Sequence, residues 1–183
     1  MLEHAKAGLQ DLQDHMQGEG IDIASLTHES TIANYAGFCG YLPVEFGRPT
    51  FLIAPVVGDP IVVTPLMECQ MVAAMTWLPD VRTWKGSGPN HWDNVLAEIF
   101  GTLLTKLGVE QTVLPGLVRN WLESASGTMA LADVSPLIAK MRAVKSPFEI
   151  GTMKQAGMAA AAMMSWAKEP LAEYPRELVV IDR

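Results

Sequence analysis

Four histidines, His4, His15, His28 and His91, and two cysteines, Cys39 and Cys69, are the residues of this chain best suited to metal binding or proton transfer. None stands at the spacing of a zinc site. Two thiols among 183 residues suit a reducing cytosol better than a disulfide scaffold. His4 and His15 fall on the outer side of a first helical pattern, and His28 follows a strand beside Glu29. His91 lies between Asn90 and Trp92 at a helix start. Solvated, hydrogen-bonded or packing roles account for all four. Ser25, Ser30, Ser87, Ser124 and Ser126 lack the G-x-S-x-G setting that exposes a hydrolase nucleophile. Gly86-x-Gly88 lacks the further glycines of a dinucleotide loop. What remains is Tyr41-Leu42-Pro43-Val44-Glu45-Phe46-Gly47-Arg48-Pro49, which places aromatics beside an arginine.

The elements that must position these residues alternate. Leu2, Ala5, Leu9, Leu12 and Met16 mark one face of a helix that Gly18 and Gly20 end. Ile21 to Thr27 reads as a strand, and Ser30 to Tyr35 as a helical turn. Thr50–Val57 and Ile61–Thr64 flank Gly58-Asp59-Pro60, a hairpin signal. Leu66 to Met75 is helical, and Val81 to Trp84 is a strand. Val95, Leu96, Ile99, Leu103, Leu104 and Leu107 predict one amphipathic helix closed by Gly108. Brief strands at Thr112–Leu114 and Met129–Asp133 flank a helix near Leu117–Ala125, and Ser135 to Val144 forms a further helix. The pattern predicts an α/β domain, a mixed sheet with helices on its faces.

After this domain, Ser146 is a good N-cap, Pro147 suits the first helical position and Glu149 completes a capping box. Apolar residues then recur at helical spacing from Ile150 until Pro170, where the helix is expected to stop. The domain is therefore expected to span residues 1–144, with 145–183 a joint helix and the start of something further. The chain looks truncated.

Arg142-Ala143-Val144-Lys145-Ser146-Pro147-Phe148-Glu149-Ile150 resembles the element joining the two domains of creatinase, prolidase and aminopeptidase P relatives, the pita-bread metallohydrolases. Gly20-Ile21-Asp22 followed by Asn34-Tyr35-Ala36-Gly37-Phe38 is similar to that family's opening, at a fitting separation. Pro175-Arg176-Glu177-Leu178 stands where relatives enter the catalytic domain, without the usual glycine. The resemblance implies a creatinase N-terminal fold with a ribonuclease-H-like motif. It implies a homodimer, and a parent enzyme that hydrolyses a C–N bond in an Xaa-Pro peptide or a creatinine-related, small amidine substrate. It also implies two divalent metal ions in a C-terminal domain, bound by two Asp, one His and two Glu. No histidine follows the joint in this chain, so no catalytic metal is expected here and the fragment is expected to be inactive alone.

Phe46-Gly47-Arg48 looks like the creatinase segment in which one subunit lends an aromatic and an arginine to its partner's active site. Such an arginine fork holds a carboxylate bidentately while the ring covers a planar group. The plainer reading is a surface hairpin in which Glu45 and Arg48 pair with each other or with water.

Net charge −7 and pI near 5.0 argue against a nucleic-acid or anionic-membrane surface. No apolar run reaches the ~18 residues of a spanning helix, and the N-terminus has no signal-peptide core, so a cytoplasmic location is expected. Met163, Met164 and Trp166 on the last helix are expected to meet the chain's own catalytic domain and, in the isolated fragment, to drive self-association. A metal-free protein-interaction module of the same fold is the alternative, and the twenty dispersed acidic residues do not favour it. A standalone paralogue without its catalytic half is a third reading, against which the apolar joint helix weighs.

Overall fold

The computed structural model describes residues 2–38, 40, 48–86, 88–101, 105–125 and 129–173. Backbone packing divides the chain into Met1–Ala143 and Val144–Arg183. The first unit contains α1 (Leu2–Glu19), β1 (Ile23–Leu26), α2 (Glu29–Ala36), β2 (Phe51–Pro55) and β3 (Ile61–Pro65). A 3-10 turn (Leu66–Glu68), α3 (Cys69–Met75), β4 (Asp80–Trp84) and α4 (Trp92–Phe100) follow. It closes with β5 (Lys106–Val109), α5 (Gly116–Ala125), β6 (Ala130–Asp133) and α6 (Ser135–Ala143).

The six strands form one mixed sheet in the order β4-β3-β2-β1-β5-β6. β1, β2 and β3 pair antiparallel, whereas β3–β4, β1–β5 and β5–β6 are parallel. The expected α/β architecture, a mixed sheet flanked by helices, is the one observed. Strand side chains alternate between faces. Ala24, Leu26, Leu52, Ala54 and Val62 meet α1, α2, α3 and α6 on one face. Phe51, Ile53, Val63, Leu107 and Val109 meet α4 and α5 on the other. On α1 the buried residues Ala5, Leu9, Leu12 and Met16 recur at helical spacing, as the sequence pattern predicts.

The β1–β5 junction is fixed by Asp22. Its Oδ2 accepts the Thr105 hydroxyl at 2.7 Å and the backbone N–H groups of Thr105 and Lys106 at 2.9 Å each. These donors stabilise the ionised form, the Thr105 hydroxyl most, then the Lys106 and Thr105 amides, and hold the carboxyl below its ordinary range. Asp133 does the same at the end of β6, accepting the Ser135 hydroxyl at 2.6 Å. Its pKa is also lowered, chiefly by that hydroxyl.

Three expectations need correction. The helix predicted to run to Leu107 ends at Phe100, where Gly101 takes φ +61° and its N–H closes on the Ala97 carbonyl. Lys106–Val109 is instead strand β5, because Leu107 and Val109 alternate into the core and Asp22 captures the backbone just before them. Leu103 and Leu104, counted in that helix, lie outside the described residues. Thr112 and Val113 belong to a turn rather than a strand, since β5 has already filled the place beside β1. Gly108, expected to cap a helix, sits in the strand. A Cβ there would meet Val134 Cγ1 at 2.9 Å and Ile21 Cγ2 at 3.2 Å.

In the second unit, α7 runs from Pro147 to Glu173, past Pro170. A proline this near the C-terminus removes one intrahelical bond and leaves no later turns to misalign, so the helix need not stop there. The capping box forms as read. Glu149 N–H donates to Ser146 Oγ at 3.2 Å, and Ser146 N–H donates to Glu149 Oε2 at 2.8 Å. Met163, Met164 and Trp166 are exposed.

Asp22 contributes stability above its unfolded pKa, about 3.9, and that stability disappears as pH falls through the lower folded value. Thermal melts should show Asp22→Asn less stable than wild type at pH 7, with the gap closing below about pH 4. A gap independent of pH would exclude this account. Gly108→Ala should cost about 1–3 kcal/mol in urea unfolding, because Val134 and Ile21 are β-branched and yield poorly.

Candidate functional site

Arg48, the described member of the expected aromatic–arginine pair, is exposed just before β2. Its Nη1 donates to the Met67 sulfur, a weak acceptor, at 3.1 Å. Phe46 and Glu45 lie outside the described residues, so neither the aromatic partner nor the Glu45–Arg48 pair is placed. Arg48 borders a cavity of about 500 Å³ shared with Lys85, His91, Trp84, Trp92 and Leu117.

Local structure explains how these residues meet. Trp84 ends β4 and its indole N–H donates to the Pro49 carbonyl at 3.0 Å, drawing the Arg48–Pro49 backbone against the strand end. His91 occupies the N-cap position of α4, but its side chain makes no cap bond. Instead Nδ1 pairs with Asp93 Oδ1 at 2.8 Å, and the ring lies 5.9 Å from Trp84 and 5.4 Å from Trp92, centroid to centroid. Trp92 in turn meets Trp121 edge-on at 5.4 Å and Phe51 at 5.8 Å. Packing thus outweighs capping at His91. The other histidines are separate: His4 meets Asn34 Oδ1, His15 meets the Asp11 carbonyl and His28 meets Ser30.

Two buried acids escaped the sequence reading. Glu68 is 2% exposed, and its Oε2 accepts the Thr50 hydroxyl at 3.2 Å and the Thr64 hydroxyl at 3.3 Å. Its Oε1 has no hydrogen-bond partner among the described residues. Glu110, at the end of β5, accepts the Thr31 hydroxyl at 2.8 Å and the His28 N–H at 3.4 Å. Arg142 Nη1 donates to Ser30 Oγ at 3.4 Å and Thr31 Oγ1 at 3.5 Å, tying the end of α6 to α2. The only sequence signal for Glu68 is an acid inside the apolar run Leu66-Met67-Glu68-Cys69, and Thr64, four residues before it, and Thr50, eighteen before it, complete its site.

The motif residues are structural. Asp22 aligns strands, and Tyr35 is buried, with its carbonyl accepting the Trp77 indole N–H at 2.9 Å. Gly37 closes α2 through its bond to the Ala33 carbonyl. The sequence matches the creatinase/prolidase N-terminal domain model over residues 9–144. The chain belongs to the creatinase/prolidase N-terminal domain family. Among solved structures, it resembles a proline dipeptidase from Streptococcus pneumoniae, with TM-score 0.65 and 22% identity over 75% of this chain and 98% of that one. It also resembles a prolidase from Thermococcus sibiricus, with TM-score 0.70 and 20% identity over 86% of this chain and 42% of the other. An X-Pro aminopeptidase from Thermotoga maritima gives TM-score 0.70 and 17% identity over 88% and 43% of the two chains. At these identities the likeness shows the fold. This creatinase N-terminal domain chain spans less than half of the two longer relatives. No curated protein matches the sequence.

Among the described residues of this creatinase N-terminal domain protein, no group of three or more His, Cys, Asp or Glu could hold a metal ion. No described helix is long and apolar enough to cross a membrane.

Glu68→Ala should lower unfolding free energy by about 1–3 kcal/mol, because it strips the shared acceptor from two buried hydroxyls. Thr50→Val combined with Glu68→Ala should cost less than the sum of the single changes, which a double-mutant cycle checks.

Proposed function

We propose that this chain is the N-terminal, dimerising and substrate-shaping part of an Xaa-Pro dipeptidase-type metallohydrolase. The family match over residues 9–144 carries the reading. The structural relatives, a proline dipeptidase, a prolidase and an X-Pro aminopeptidase, support this substrate class over a small amidine. On this reading the two divalent ions belong to a C-terminal domain. That domain would supply the metal-activated water that attacks the peptide bond.

The part played by this chain is orientation. Arg48 stands exposed three residues before β2, just ahead of Thr50, whose hydroxyl donates to the buried Glu68. A fork in that position suits the carboxylate of a short peptide, and Phe46, two residues earlier, would supply the apolar cover. Delivered to a partner subunit, the pair would act in substrate binding rather than in bond breaking. The exposed methionines and Trp166 of α7 suit burial against a further domain or a second copy.

The full-length gene product, assayed with divalent metal, should cleave dipeptides ending in proline and behave as a dimer in light scattering. Arg48→Ala should lower kcat/KM about tenfold or more, mainly through KM, matching the loss of one charge-assisted contact. Hydrolysis by the 183-residue chain alone would overturn the assignment.

A further inference from the structure

β4 ends the sheet, so no described strand lies beyond it and its outer backbone groups stand open to a further strand. Asp80, Val81, Arg82 and Thr83 are half-buried there, whereas Trp84 is buried. Pairing with β3 sets their faces. Val81 lies beside Val62 on the face covered by α3, and Asp80 and Arg82 lie beside Ile61 and Val63 on the face covered by α4. Arg82 bonds the Asp80 carboxylate at 3.1 Å through Nη2 and 3.3 Å through Nε, which leaves Nη1 of the fork for a second carboxylate. The two side chains are 39% and 41% exposed, and Glu98 on α4 also lies within electrostatic reach of Arg82.

An open edge that carries Asp80-Val81-Arg82 is its own complement. We propose that β4 is a contact between two copies of this chain, which pair antiparallel about Val81 and join their sheets edge to edge. The proposal rests on the reading of the chain as a dimerising domain and names the surface. About a two-fold axis at Val81, Asp80 meets the partner's Arg82 and Arg82 meets the partner's Asp80 on one face. Each charge keeps its neighbour in its own strand and gains an opposite charge across the junction. A register shifted by two residues would set Arg82 against the partner's Arg82, or Asp80 against the partner's Asp80, so charge selects the Val81 register. The other open edge, β6, has no such match. Asp133 is its single charge, and Ser135 and Gln111 already hold it. On the Val81 face, α3 carries Met71 and Met75 one turn apart, 37% and 45% exposed. A second copy brings a matching pair to that face, where flexible thioethers adapt to one another. Pro79 has no N–H and limits the ladder to a short segment, and a two-fold contact uses up the edge, so pairing closes at a dimer.

The test is sedimentation equilibrium of the 183-residue chain at concentrations up to about 0.5 mM. The unaltered chain should dimerise. Asp80→Arg and Arg82→Asp, each alone, set like charges across the junction and should weaken the dimer at least about tenfold. An equimolar mixture of the two variants restores opposite charges at both crossings and should recover a dimer with one copy of each, within about threefold of the original Kd. Repulsion inside each strand persists in the mixture, so recovery reports contact between copies. For the unaltered chain, about 1 M NaCl should raise Kd severalfold, a readout that does not depend on how the variants fold. Single variants that associate as strongly as the unaltered chain would move the contact elsewhere, overturning the edge pairing and leaving the dimerising reading intact. So would a dimer that salt does not weaken. A mixture that stays monomeric while both variants keep the original circular dichroism spectrum would also overturn it, as would a monomeric unaltered chain. In that last case light scattering of the full-length product still judges the dimerising reading separately.

Discussion

The junction between β1 and β5 is the constraint on which the domain depends. Among the described strands, residues 23–84 contribute four neighbours and residues 106–133 contribute two, and β1–β5 is the pairing that joins them. Parallel pairing requires a long crossover, here some eighty residues, so the loop-closure entropy must be offset at the junction itself. Asp22 does this with one carboxylate oxygen that takes three donors from Thr105 and Lys106. Gly108 then lets Val134 and Ile21 close over the strand with no Cβ between them. A displaced β5 would expose Leu107 and Val109 and remove the wall on which α5 packs.

From this junction the placement of the cavity beside Arg48 follows. The sheet presents Phe51, Ile53 and Val63 to α4 and α5, and Trp92 and Trp121 interlock across the same face. That aromatic layer ends at Trp84, at the sheet's β4 edge, where the core gives way to Arg48, Lys85 and His91. The buried Glu68 strengthens the same edge, since Thr50 on one side and Thr64 on the other share its Oε2.

The family motifs are informative for a reason separate from chemistry. Asp22, Tyr35, Gly37, Arg142, Ser146 and Glu149 all meet backbone groups or buried hydroxyls, or cap a helix. They specify how the domain is closed and how the joint helix begins. None of them lies in the cavity beside Arg48. Membership of the family is therefore legible largely from residues that make the scaffold.

Local rules determined much of this protein from sequence alone. The period of α1, the hairpin around Gly58-Asp59-Pro60 and the Ser146–Glu149 capping box depend on neighbours within a few positions, and each formed as read. Tertiary structure decided the rest. Lys106–Val109 continues a helical apolar pattern in sequence, yet it is a strand because Asp22, more than eighty residues away, holds its backbone beside β1. Glu110 is buried with the hydroxyl of Thr31, seventy-nine residues away, and Glu68 with that of Thr50, eighteen away, as well as the nearby Thr64. Lys85 and His91 join Arg48 through the packing of Trp84 and Trp92, across separations at which sequence spacing carries no geometric information.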